Sequence, residues 1–172
     1  DPAGHGHAAG PAEHVVRLTA DCPLACPALV DAVVERHLEG GFDYTSNVHP
    51  RRFPDGLDVE VATRVALELA AREACLPSER EHVTPFLWSN PGRFRLGAVV
   101  GERDLSRLRW TVDEARDLAF VRAVYGELLA RDPEFTTEQV LELLDERPDL
   151  ALLNHGIPTN AGYQRSLGGD RR

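Results

Sequence analysis

The fold is decided by two short strings, RLTADCPL at residues 17–24 and RWTVDE at residues 109–114. Each string predicts a β-strand that runs into an acidic residue, Asp21 or Asp113, at its carboxyl end. In an open α/β sheet, ligands bind outside the carboxyl ends of the strands. Two carboxylates brought together there can hold one Mg²⁺ ion, the usual companion of a nucleoside triphosphate. The pair therefore predicts phosphoryl or nucleotidyl transfer.

The hydrophobic pattern around these strings predicts an α/β order of elements. Strands are predicted at residues 14–20, 43–48, 57–61, 94–100 and 109–112. Apolar residues at helical spacing, together with capping signals and helix propensity, predict helices at residues 28–39, 63–74, 78–89, 114–130 and 136–145. This order favours an α/β fold with a mixed sheet.

Local signals add four expectations to this order. The strand at residues 14–20 is almost continuously apolar, which is typical of a buried strand. Ser78 followed by Glu81 predicts a capping box at the start of its helix. Residues 1–13 are rich in Gly, Ala, Pro and His and predict a loop, and the Gly-rich tail from Asn154 is expected to be extended.

The composition excludes several classes of function. The 172 residues carry a net charge of −9, which argues against a nucleic-acid partner, because such surfaces are usually basic. All 19 basic residues are Arg, so neither a Schiff-base lysine nor a P-loop lysine lies within this chain. No apolar run approaches the ~20 residues needed to cross a membrane, and no signal peptide is recognisable. We therefore expect a cytoplasmic protein without a membrane partner.

Cysteine and methionine usage gives two further expectations. The three cysteines, Cys22, Cys26 and Cys75, are odd in number and irregularly spaced, so free thiols are expected rather than a disulfide framework or a zinc site. The chain contains no Met and begins with Asp1, from which we expect it to start at an internal point of a longer protein.

Five motifs together resemble the cytidylyltransferase family of spore coat polysaccharide biosynthesis, which is related to the synthetases of CMP-activated acidic sugars. In chain order they are RLTADCPL, DYTSN, PDGLDVEV, LPSEREHVTP and LRWTVDEARDL. The resemblance covers about residues 14–165 and begins after the family's first nucleotide-binding unit, whose strand and Gly/Arg/Lys loop have no counterpart here. It divides the chain into a loop at residues 1–13, the C-terminal portion of a cytidylyltransferase-like domain at 14–165, and a tail at 166–172.

The resemblance implies a nucleotide-diphospho-sugar transferase fold, a three-layer α/β/α arrangement with a mixed, mostly parallel sheet. It implies an enzyme that condenses CTP with a sugar or sugar-acid acceptor and releases pyrophosphate. In the family's terms, Asp21 matches the first metal-binding acid and Asp113 the second, so both are expected to be catalytic and to hold Mg²⁺. A homodimer is included among the expected assemblies.

Four further residues are candidates for substrate binding. Asn47 ends a predicted strand, and Asp58 lies on one face of the next, where either side chain could bind sugar hydroxyls or simply face water. Arg80 and His82 lie in the first turns of the predicted helix at 78–89, on different faces, so both need not reach one ligand.

The two aspartates expected to bind the metal also have purely structural interpretations. Asp21 precedes a proline turn and could cap it, and Asp113 could be the N-cap of the helix that follows it. At the level of function, a catalytically silent binding or partner module without the triphosphate loop is the alternative to the transferase. A metal-dependent hydrolase that uses Asp and His is a third hypothesis.

Overall fold

The computed structural model describes residues 12–159 and 161–170. Their strands are β1 (His14–Arg17), β2 (Tyr44–Ser46), β3 (Glu60–Thr63) and β4 (Leu96–Ala98). Their helices are α1 (Pro27–Gly40), α2 (Arg64–Glu73), α3 (Pro77–His82), α4 (Pro85–Trp88), α5 (Ala115–Leu128), α6 (Thr137–Glu146), α7 (Pro148–Ala151) and α8 (Ala161–Gly169). Of the loop predicted at residues 1–13, residues 1–11 lie outside the described residues, and the last two have no regular structure.

The four strands form one open, mixed sheet in the order β1-β3-β2-β4. Strand β3 is antiparallel to both β1 and β2, whereas β2 and β4 are parallel. The carboxyl ends of β1, β2 and β4 and the amino end of β3 therefore lie at one edge of the sheet, called here the carboxyl edge. The α/β fold with a mixed sheet is confirmed. Parallel pairing, expected to dominate, is the minority among these four strands, since β3 reverses direction between β1 and β2.

Two apolar cores on opposite faces of the sheet give the three layers. Val61 faces a core that includes Val33 of α1, Phe120 of α5 and Val140 of α6. The next residue, Ala62, faces the other side and packs with Ala66 of α2 and Phe86 of α4. Successive residues of a strand point to opposite faces, so the apolar run within β3 is explained by burial on both sides.

The predicted strands differ from the structure in their bounds, and the strand predicted at 57–61 shares only residues 60 and 61 with β3. Residues 109–112 form no strand; Arg109 makes one isolated bridge to Asp55, because the chain turns away to begin α5. β1 is shorter than predicted and lies at the edge of the sheet, with Val15 and Val16 each more than one-third exposed. Within the described part of the chain, its apolar side chains are therefore only partly buried, and the expectation of a fully buried strand is wrong.

The helix predicted at residues 78–89 is two helices, and its predicted capping box is wrong. Ser78 lies inside α3 and donates from its hydroxyl to the carboxylate of Asp170 at 2.6 Å. Glu79, two residues before the predicted Glu81, accepts the backbone N–H groups of Cys75 and Leu76 at 3.1 and 3.2 Å. α3 ends before Pro85, whose ring is incompatible with a continuous helix.

The tail predicted to be extended contains a helix, α8. This helix packs against α3, where Ser166 lies 3.0 Å from the imidazole of His82. Its sequence carries little helical signal of its own, so tertiary packing accounts for it. Within the described ranges, no helix is long and apolar enough to cross a membrane. The three cysteines are free, as expected; Cys22 and Cys26 are half-buried and Cys75 is exposed.

A buried histidine makes the stability of the α1–sheet contact depend on pH. The His37 ring is fully buried and lies 3.0 Å from both Thr45 Oγ1 and His14 Nδ1. Burial, and next the neighbouring His14, lower the pKa of His37 below its ordinary value of 6.5. The folded chain therefore excludes a proton that the unfolded chain binds once the pH falls below that value.

We expect the free energy of unfolding to decrease as the pH falls from about 7.5 to about 5, the range in which unfolded histidines become charged. Burial also lowers the pKa of His49, which contributes in the same direction. Urea titrations should show a smaller decrease in the His37→Gln variant, because glutamine cannot take up the proton. An identical pH slope in wild type and variant would contradict this assignment.

Candidate functional site

Asp21 lies in a turn beyond the end of β1, at the carboxyl edge. Its carboxylate accepts the Thr111 hydroxyl at 3.3 Å, and its backbone carbonyl accepts the Val112 N–H at 2.8 Å. Burial opposes ionisation of Asp21, but hydrogen bonds from Thr19, its own backbone N–H and Thr111 outweigh it, and the pKa is lowered. The carboxylate is therefore charged at neutral pH and is joined directly to the segment that carries Asp113.

Asp113 presents a largely free carboxylate at the start of α5. Its side chain is 55% exposed, and its Oδ2 accepts the Arg109 Nη2–H at 2.6 Å. The N-cap of α5 is Glu114 and not Asp113, so the capping role considered for Asp113 is wrong. Asp113 is thus held by one arginine and otherwise faces solvent.

Arg109 is the buried centre that orients this segment, and the sequence interpretation did not identify it. Its guanidinium binds both carboxylate oxygens of Asp117, each at 2.9 Å, and also contacts Asp55 at 3.3 Å. Asp117 is fully buried and accepts the backbone N–H groups of residues 113 and 114 at 3.1 and 3.0 Å. Asn154 adds a hydrogen bond to Asp117 at 3.1 Å.

These contacts fix the position of Asp113 from both sides. Arg109 holds its side chain, and Asp117 holds its backbone. Burial disfavours the ionised form of Asp117, but the Arg109 hydrogen bonds and the two backbone donors lower its pKa. The signal available in the sequence is the spacing, since an acidic residue three positions after Glu114 is the N3 position of a capping box.

Asp58 is paired at the same edge with Arg51. The guanidinium of Arg51 donates to both oxygens of Asp58 at 2.6 Å and lies 3.4 Å from Asp55. Since Asp55 also contacts Arg109, the carboxylates of residues 55, 58, 113 and 117 and the two arginines form one charged network. Arg51 and Asp58 therefore form a half-buried ion pair.

The thiol of Cys22 lies beside Asp21, with its Sγ 3.7 Å from Asp21 Oδ1. Burial is the main cause that raises the pKa of Cys22 to about 11, and the charges of Asp21 and Asp58 add to it. The thiol is consequently protonated at neutral pH and is not an activated nucleophile.

Asn47 has structural contacts that account for its side chain. It is almost fully buried, donates to the Leu57 carbonyl at 2.7 Å and accepts the Val59 N–H at 2.8 Å. These side-chain hydrogen bonds join the end of β2 to the segment that leads into β3, beside the backbone hydrogen bond from the Asn47 N–H to the Val59 carbonyl. Its contacts support a role in holding the sheet edge rather than in binding a ligand.

Arg80 and His82 lie apart from the charged network. Arg80 is exposed on α3 and donates to the Ala74 carbonyl at 3.3 Å. His82 is half-buried between α3 and α8, with its ring 5.3 Å from that of Tyr163 in a T-shaped contact. The structure therefore does not bring these two residues together with Asp21 and Asp113.

The donors present fit a Mg²⁺ ion that is shared with a substrate. Asp21 and Asp113 offer hard carboxylate oxygens, and Mg²⁺ commonly takes one or two carboxylates together with substrate phosphates and water. Among the described residues, no group of three or more His, Cys, Asp or Glu side chains could hold a metal by itself. The chain's own ligands thus suit a metal that arrives with phosphate and do not suit a permanent structural metal.

Comparison with known proteins gives two sequence relatives and one similar solved structure. No family model matches the chain. It is 33% identical over 147 residues to an uncharacterized protein of Methanocaldococcus jannaschii, covering 83% of this chain and 58% of the relative. It is 26% identical over 140 residues to the spore coat polysaccharide biosynthesis protein SpsF of Bacillus subtilis, covering 80% and 57%.

The solved structure is a cytidylyltransferase from Leptospira borgpetersenii serovar Hardjo-bovis. It matches with a TM-score of 0.77 and 30% sequence identity over 85% of this chain and 61% of that chain. The present chain therefore spans about three fifths of the length of the proteins it matches. The likeness includes both sequence and fold over most of the described residues.

Proposed function

This chain belongs to the spore coat polysaccharide biosynthesis cytidylyltransferase family, and from that premise we propose that it serves nucleotidyl transfer from CTP to a sugar or sugar acid. The observation that carries the proposal is the junction of the two acidic segments. Thr111 and Val112 bind Asp21 directly, and Asp113 follows them in the chain. This junction supports a site in which two carboxylates from distant parts of the sequence share the edge where α/β sheets bind ligands.

The reaction needs no protein nucleophile. A hydroxyl oxygen of the acceptor attacks the α-phosphorus of CTP, the bond to the bridging oxygen breaks, and pyrophosphate leaves with the bonding electron pair. The acceptor's proton passes to solvent. Asp21 and Asp113 would hold a Mg²⁺ ion, which would supply positive charge that offsets the charge developing in the transition state.

Residues of this chain keep the proposed site negatively charged and hold its carboxylates in position. The lowered pKa of Asp21 keeps its carboxylate ionised, so it is ready to bind a cation at neutral pH. Arg109 and Asp117 hold Asp113 in one place, which reduces the reorganisation needed when substrate binds. Arg51 holds Asp58, whose carboxylate is proposed to accept hydroxyl groups of the acceptor.

A thermal-shift series on the full-length gene product tests the proposal. We expect CTP with Mg²⁺ to raise the melting temperature more than ATP, GTP or UTP, since a ligand that binds only the folded state stabilises it. Omission of Mg²⁺ should remove most of the shift. If no nucleoside triphosphate produces a shift, and no pyrophosphate is released with any acceptor, the binding or partner module becomes the better description.

Asp58 provides a prediction on the acceptor side. Asp58→Ala is expected to raise the apparent KM for the acceptor several-fold while leaving the KM for CTP unchanged. The substitution removes a contact with the acceptor that is made equally in the ground state and in the transition state, so KM changes and kcat does not. Asp31→Ala, an exposed acid on the solvent side of α1, is the matched control and should change neither constant. A weaker affinity for CTP in the Asp58 variant would show that our division of the cleft is wrong.

A further inference from the structure

A small cavity lies at the carboxyl end of β2. Its volume is about 250 Å³, and it is lined by Tyr44, Ser46, His49, Trp88 and strand β4. Tyr44, Ser46 and His49 follow one another along β2 and its carboxyl end, so the cavity reaches the carboxyl edge. It lies on the same face of the sheet as α4, which supplies Trp88.

Trp88 forms a fixed aromatic wall of this cavity. Its ring centroid lies 4.6 Å from that of His49, at an angle of 41° between the planes. Tyr163 of α8 makes a T-shaped contact with Trp88 at 5.7 Å, and Tyr163 is in turn supported by His82. Aromatic contacts of this geometry are favourable and hold the indole in one orientation.

The cavity is joined to the charged network by a tight segment of chain. Val48 and Arg51 form an isolated bridge, so His49 lies in a turn that is closed by the residue that binds Asp58. After burial, the charges of Glu60, Arg51 and Asp58 also influence the pKa of His49. The turn that carries His49 therefore links the cavity to the Arg51–Asp58 ion pair.

Size and charge restrict what the cavity can hold. About 250 Å³ has room for one small ring and its substituents, and it is below the ~300 Å³ at which sites for larger ligands begin. Burial lowers the pKa of His49, so its imidazole is neutral at pH 7. The Tyr44 hydroxyl already donates to Glu60 at 2.6 Å. Among the described residues, the lining thus contains no charged group that would recognise a carboxylate or phosphate.

We propose that this cavity is the subsite for an uncharged part of the acceptor, a pyranose ring whose apolar face stacks on Trp88. This inference rests on the proposed function for the identity of the ligand. Asp58 would then be positioned to accept hydroxyl groups from the same ring, because Arg51, which holds it, closes the turn that carries His49. A charged group of a sugar acid would have to lie outside this cavity.

Tryptophan fluorescence without any nucleotide tests the subsite. Of the two Trp residues in this chain, Trp110 is only 1% exposed, and a ligand-dependent change in emission that is absent from the Trp88→Phe variant reports Trp88. We expect methyl glucopyranoside, methyl galactopyranoside or methyl N-acetylglucosaminide to give a saturable change in the full-length gene product. Glucuronate should bind no more tightly than the neutral glycosides. A linear, non-saturating response to all of these sugars, or preferential binding of glucuronate, would overturn the proposal.

Ligand-observed NMR on variants separates stacking from folding. Trp88→Ala should weaken binding of the responding glycoside about five- to tenfold, as loss of an aromatic contact typically does. Trp88→Phe retains a ring and should stay within about threefold of wild type. Equal affinity of wild type and Trp88→Ala would refute the stacking role. Because no CTP is present, such a failure alongside normal CTP-dependent turnover would leave the proposed function standing.

Discussion

Replacing Asp113 or Asp21 by Asn is expected to abolish measurable nucleotidyl transfer by the full-length gene product. Each substitution removes one of two carboxylates available for Mg²⁺, which should cost several kcal/mol of transition-state stabilisation. A loss of that size corresponds to a decrease in turnover of at least about 100-fold. Pyrophosphate release at saturating CTP and ordinary Mg²⁺ measures it directly.

The two Asn variants should remain folded. The Asp113→Asn variant loses the charge interaction with Arg109, but Arg109 keeps its contacts with Asp117 and Asp55. The side chain of Asp113 is already half exposed, so little desolvated surface is involved. Asp31→Asn, on the exposed side of α1, is the matched control. Near-normal turnover in either site variant would refute the two-aspartate metal site.

Loss of Asp117 is expected to have the largest effect on stability. Asp117→Ala leaves the buried guanidinium of Arg109 without its bidentate partner and frees the backbone N–H groups of residues 113 and 114. Removing one partner of a buried ion pair typically costs about 3–5 kcal/mol. Urea denaturation followed by circular dichroism should show a decrease in the free energy of unfolding of about that size.

A control variant and the pH dependence of stability separate this effect from a general loss of charge. Arg147 and Asp149 form an exposed pair, so Asp149→Ala should leave stability nearly unchanged. The pKa of Asp117 is below its ordinary value of 3.8, so its contribution is present above that pH and is lost as the pH falls below it. A fully stable Asp117→Ala protein would mean that Arg109 finds other partners and does not centre the site.

The long helices can be predicted closely because their signals are local. Apolar spacing predicts α1 at residues 28–39, and the helix begins at Pro27; α6 begins after the Thr136–Gln139 capping box, which the structure contains. Gly41 caps the end of α1 in a left-handed conformation, with φ of 56°, which glycine adopts without strain. Such patterns are decided within a few residues.

The elements that the sequence predicts wrongly depend on distant partners. The segment at residues 109–112 has the composition of a strand, yet its N–H groups bind the carbonyls of Asp55 and Asp21 in a loop. α8 carries little periodicity of its own and is held by Ser166 and Asp170 against α3. A strand-like composition indicates that a segment is buried, but it does not specify whether a neighbouring strand or a loop buries it.

The sequence by itself indicated the family and the α/β class, because motif order and local periodicity are properties of neighbouring residues. Tertiary structure alone decided that Arg109, Asp117 and Asp55 form a buried ion-pair network next to Asp113 and that Asn47 serves the sheet edge. It also separated His82 from Asp21 and placed Trp88 beside His49. An ion pair or a ring contact depends on distances between residues that are far apart in the chain, and these distances exist only after the sheet has brought its strand ends to one edge.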